Sequence, residues 1–119
     1  MGVNSNVIDL KKEMNFVPGG IASRTIRRDR SAKTVLFYFD AGQQLSEHTA
    51  TVAATMHFVE GRARVKLGRR WRNAGPDTWI AMEPGLAHAI TAKTKLVMLL
   101  TLFDGPPSDS RKPPTPKPE

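Results

Sequence analysis

The chain has 119 residues, 39% of them hydrophobic, and a net charge of +7, which is enough for one domain around one core. It contains no cysteine, which excludes a disulfide framework, a thiol nucleophile and any thiolate metal site. Its longest apolar run, residues 96–100, is far too short to span a bilayer. Residues 1–10 lack the basic and then apolar pattern of a secretory leader, so a soluble cytoplasmic protein with no membrane partner is the expectation.

Residues 1–19 read as an N-terminal arm. Within it, residues 6–14 predict a short helix, with Asn6 as the cap and Asp9 in the first turn. Val7, Leu10 and Met14 would share one face of it. Pro18, Gly19 and Gly20 then stop any regular structure. Residues 20–103 read as strands. Ala22, Arg24, Ile26 and Arg28 fall on one parity, with Ser23, Thr25 and Arg27 on the other. Lys33–Phe39 is rich in Val, Leu, Phe and Tyr, and Asp40, Ala41 and Gly42 close it. Residues 51–60 form the next run, which Gly61 breaks. In residues 62–67, Arg62, Arg64 and Lys66 alternate with Ala63, Val65 and Leu67. Gly68 turns the chain into residues 69–73, anchored by Trp71, and residues 74–77 turn it again. Residues 78–82, 87–91 and 95–103 complete the set. Many short strands with turn residues at this spacing predict an all-β, antiparallel barrel of six to eight strands. Residues 104–119 hold six of the nine prolines and almost nothing apolar, which predicts a disordered tail. Pro113 and Pro116, three apart, leave a proline-recognition ligand as the lesser reading of that tail.

The positive charge resides in the body, where residues 1–103 carry fifteen basic and eight acidic groups. Six of the basic groups (Arg62, Arg64, Lys66, Arg69, Arg70 and Arg72) occupy eleven residues with no acid among them. With Trp71 interleaved, this run invites a nucleic-acid reading. Alternation makes Arg62, Arg64 and Lys66 the solvent face of one strand, where cations also discourage edge pairing, so nucleic acid ranks last among the readings.

A spacing carries the most information. Gly42 is followed by His48 six positions later and by Gly61 thirteen positions after that. Further on come Gly75, Gly85 and His88, and Phe58, Val59, Glu60 and Gly61 form an apolar-apolar-Glu-Gly turn. These residues resemble the two-part motif of the cupins, closest to small single-domain cupins of the conserved-barrel, RmlC-like type. In that pattern the second histidine position is Ala50, the glutamate position is Ala54 and the asparagine position is Ala92, so the metal motif is degenerate. The resemblance covers roughly residues 20–103 and implies a jelly roll, or double-stranded β-helix. It also implies pairing into a homodimer through an outer sheet.

From the motif, His48 and His88 are expected to converge inside the barrel. Met56, Phe58, Trp79 and Met82, with Val65, Leu67 and Leu86, are candidates for an apolar lining, or for a core that fills the barrel. His48 and His88 are also the candidate ligands of a divalent transition metal (Zn, Ni, Fe or Mn), with His57 as a third ligand only if a bulge reverses its parity. Two neutral imidazoles fall short of the three protein ligands usual in catalytic zinc sites. The leading expectation is therefore a protein that binds a small apolar or carboxylate-bearing molecule, with both histidines at the polar end. The alternative is a metal-dependent oxygenase or isomerase. Whether the chain is an enzyme is left open by the sequence.

Overall fold

The computed structural model describes residues 5–12 and 15–103. The expected proline-rich tail, and Met14 of the expected helix, lie outside them. Among the described residues, nine strands form two antiparallel sheets. In chain order they are β1 (Ile21–Arg28), β2 (Lys33–Phe39), β3 (Gln44–His48), β4 (Ala53–Glu60), β5 (Ala63–Leu67), β6 (Arg70–Ala74), β7 (Trp79–Met82), β8 (His88–Ala92) and β9 (Leu96–Phe103). One sheet has the order β1-β2-β9-β4-β7 and the other β3-β8-β5-β6. The two inner faces close on each other as a jelly roll, so the expected fold class holds.

Alternation sets the core. In β4, Ala54, Met56 and Phe58 are buried at 2%, 1% and 0% exposure, and the residues between them are not. Register places Ala54 across from Met82 and Met56 across from Ile80 on β7. On β9, Met98 pairs with Phe58 and Leu100 with Met56. Together with Phe39, Val65, Ile90 and Leu96 they fill one interior cluster. The continuous burial of Leu96, Val97 and Met98 has a separate cause. Val97 faces outward, yet joins Leu36 and Tyr38 in a second cluster capped by Leu10 and Phe16 of the arm. The Phe16 ring meets Tyr38 edge-on at a 5.7 Å centroid distance. A strand covered on both faces carries no polar alternation.

Two expectations are corrected here. Among the described residues of the arm there is a turn, closed by Lys12 N–H donating to the Asp9 carbonyl, and no helix. Asn6 does not cap: its amide nitrogen donates to the Ile26 carbonyl, and its oxygen accepts from Arg27. A run this short gains too little from its own hydrogen bonds to hold a helix against those partners. The strand count is nine rather than six to eight, because β3 was not foreseen. Its sequence, Gln44, Leu45, Ser46, Glu47 and His48, has one apolar residue and so no readable alternation.

Candidate functional site

The two motif histidines meet. His48 on β3 and His88 on β8 are cross-strand partners, with ring centroids 4.2 Å apart and planes inclined at 58°. A bulge makes this geometry. Leu45 pairs with Ile90, and three residues on, His48 pairs with His88 only two residues back along β8. The extra residue restores His48 to the face of Leu45, which regular alternation would have denied it.

Each ring is held by its own backbone. His48 Nδ1 lies 2.8 Å from the Ser46 carbonyl oxygen, and His88 Nδ1 lies 2.9 Å from that of Leu86. A carbonyl oxygen only accepts, so in the neutral imidazoles the proton sits on Nδ1. Nε2 of each ring is then left with its lone pair, as an acceptor or a ligand atom. His88 is buried at 5% exposure, whereas His48 is exposed. Burial pushes the His88 imidazole below its ordinary 6.5, the Leu86 carbonyl pulls it partly back, and the His48 charge adds a smaller downward push.

This shift has a consequence for stability. Above pH 6.5 His88 is neutral both folded and unfolded and gives no pH dependence. Below it, the unfolded chain takes up a proton that the native chain refuses, so stability falls until the depressed native value is passed. We expect melting temperature to be flat from about pH 8 to the ordinary imidazole value and to decline below it, with a slope of at most about 1.4 kcal/mol per pH unit. In His88→Gln the decline should be largely gone. An unchanged decline in that variant would refute the assignment. Asp29 and Asp40 are held below the ordinary 3.8, chiefly by backbone N–H donors from Ser31 and Gly19 respectively, so their own losses fall at lower pH.

Rows across the inner face of the four-stranded sheet extend the site. His48, His88, Leu67 and Arg70 form one row, and Leu45, Ile90, Val65 and Arg72 the next. Arg70 and Arg72 therefore belong to the inward parity of β6, while Arg64 and Lys66 of β5 face out, as expected. Between the edges of β6 and β7 opens a cleft of about 290 Å³, lined by Leu67, Arg72, Asn73, Thr78, Trp79 and Ile80. Two loops meet at the histidine end, where Gly85 N–H donates to the Ala50 carbonyl at 2.8 Å.

The remaining candidates separate. Met56 and Phe58 lie within the packed interior cluster and have almost no exposed surface. Met82 is buried within that cluster too, and Leu86, half-buried, packs against it. Trp79 is a correction: it pairs with His57 and is 63% exposed, outside the barrel at the rim of the cleft. Residues 79 and 82 are three apart, so a regular strand cannot turn both inward. His57 is likewise outside, with Nε2 3.4 Å from Asp77 Oδ1 and no bulge before it to reverse its parity. It does not join His48 and His88. Among the described residues no three His, Asp or Glu side chains gather as a metal site. Glu47, the nearest carboxylate in sequence, faces outward and pairs with Lys66 Nζ at 3.1 Å. A resident divalent metal therefore does not fit the donor set present. Arg70 and Arg72 were missed as site residues, although a signal existed. Leu67 pairs with Arg70 across a two-residue turn, so an inward Leu67 makes Arg70 and Arg72 inward too.

The fold is that of the cupins. A conserved protein of unknown function from Streptococcus pyogenes superposes with a TM-score of 0.77 at 24% identity, over 89% of this chain and 92% of that one. An RmlC-like cupin protein from Desulfovibrio desulfuricans gives 0.79 at 19% identity, over 86% and 99%. A cupin superfamily protein from Desulfitobacterium hafniense gives 0.76 at 17% identity, over 85% and 93%. No family model matches the sequence, and no curated protein matches it. The chain thus has the fold of the small RmlC-like cupins, a double-stranded β-helix over residues 21–103. Among the described residues no helix is long and apolar enough to cross a membrane.

Proposed function

We propose that the protein binds a small hydroxylated organic acid at the histidine end of the barrel. The observation that carries this reading is the pair of imidazoles at 4.2 Å, each with Nδ1 tied to a carbonyl and Nε2 left to accept. Two acceptors side by side suit a ligand that offers hydroxyl hydrogens. Arg70 and Arg72, on the same inner sheet face, supply the guanidinium fork that matches a carboxylate. Leu67, Leu86, Ile80 and Met82 give the apolar wall between these ends.

The test is thermal melting with malate, tartrate and lactate, alongside neutral polyols of the same size. A fitting acid at about a hundred times its Kd adds about 2.7 kcal/mol, and so raises the melting temperature by about 10 °C or more. His88→Ala and Arg72→Ala should each abolish the rise, and the polyols should give none. A rise that survives both substitutions, or no rise with any acid, would reject the reading. The protein is also purified without a chelating tag for metal analysis. Near-stoichiometric transition metal, lost in His48→Ala, would make the site a metal centre instead.

A further inference from the structure

We infer that the outer face of the four-stranded sheet binds single-stranded nucleic acid. This face is separate from the barrel interior, because strand parity divides the two. It presents Arg64 and Lys66 from β5, Trp71 and Asn73 from β6, and Thr91 from β8. Arg62 and Lys93 stand at its margin, where Lys93 N–H donates to the Arg62 carbonyl at 2.8 Å. Trp71 is 46% exposed, and the Arg64 guanidinium carbon lies 5.3 Å from its ring centroid. Beside this pair is a hollow of about 220 Å³, lined by Arg64, Trp71, Thr91 and Lys93. The acid on this face, Glu47, is already held by Lys66.

Solubility and edge protection account for the cations. They do not account for an indole set among them. A cationic surface that also offers an aromatic platform suits a strand whose phosphates are paired with Arg and Lys while a base stacks. A duplex hides its base faces, and the described residues include no helix to enter a groove. An anionic membrane would ask for an apolar surface to insert, but Trp71 is flanked here by Thr91, Asn73 and charges.

The test uses the full chain and fluorescently labelled oligouridylate and oligothymidylate of about 12 nucleotides, with a duplex of equal length as comparison. Polyglutamate and phosphatidylglycerol vesicles are the other polyanions. We expect both single strands to bind better than the duplex, the polyglutamate or the vesicles. The stronger of the two single strands then identifies RNA or DNA as the source. Trp71→Ala should weaken binding about 5- to 150-fold, and Trp71→Phe should retain most of it. Changing Arg64 and Lys93 together to Gln should flatten the slope of log K against log salt by about 1.4. In Trp79→Phe the one remaining indole is Trp71, and its fluorescence should quench on binding. No binding at low salt would overturn the inference. So would preference for duplex or vesicles, or affinity indifferent to Trp71→Ala in a normally melting protein. If Trp71→Ala fails to fold, the Trp79→Phe quench and the Arg64 and Lys93 slope decide alone.

Discussion

Replacing Gly61 with alanine should cost the barrel at least about 3 kcal/mol, and leave much of it unfolded at moderate temperature. Two independent causes act at this position. The backbone there has φ +89°, a region that L side chains rarely adopt. A Cβ would also fall onto the Lys95 carbonyl oxygen, with the Leu96 Cα just behind at 3.0 Å. These are backbone atoms at the start of β9, the central strand of the five-stranded sheet, and they cannot rotate away. Gly42 separates the causes. It has φ +83° but open space around its missing Cβ, so alanine there should cost only about 1–2 kcal/mol. Urea unfolding of both variants measures the difference. Equal losses would mean that the close approach of Gly61 to β9 does not matter. Because a stable domain holds only about 5–15 kcal/mol in all, the larger loss should be visible in expression as well.

The motif glycines were thus legible as turns, and for one of them the structure adds a steric reason that no spacing contains. Other parts of the fold divide the same way. The parity of β4 and β5 was readable, because Ala54, Met56 and Phe58 are separated by Thr55 and His57, and Ala63, Val65 and Leu67 by Arg64 and Lys66. That pattern is imposed by a core on one side and water on the other, so it is written locally. The motif spacing marked His48, but the bulge that sets it opposite His88 leaves no mark in the five residues of β3. The basic run was read as one feature, whereas a two-residue turn splits it between two faces. Arg64 and Lys66 go to one face, and Arg70 and Arg72 go to the other. Trp79 misled for the opposite reason. A large apolar residue suggests burial, yet it can sit at 63% exposure when the strand's register puts its neighbours inside.

The barrel centre poses the sharper question, whether Phe58 is a wall of a chamber or part of a filled core. Phe58 has 0% exposure and lies in the interior cluster with Met56 and Met98. Its N–H donates to the Thr78 carbonyl at 2.9 Å, and its carbonyl accepts from Asp77 at 2.7 Å, so the backbone around it is pinned. Pinned surroundings cannot collapse into a void. Phe58→Ala should therefore carry both the lost transfer energy and a cavity penalty, about 3–5 kcal/mol in all. A residue lining an open chamber would leave no new void, and its loss should cost under about 1.5 kcal/mol. Leu86, half-buried beside His88, supplies the contrast. Leu86→Ala should cost about 1 kcal/mol in stability but weaken any ligand held at the histidine end. Phe58→Ala should do the reverse, leaving affinity per folded molecule unchanged. Denaturant unfolding and ligand titration on the two variants give four numbers. If Phe58→Ala proves cheap and abolishes binding, the ligand reaches the barrel centre. The site would then be a deep chamber rather than a mouth bounded by His48, His88 and the arginines of β6.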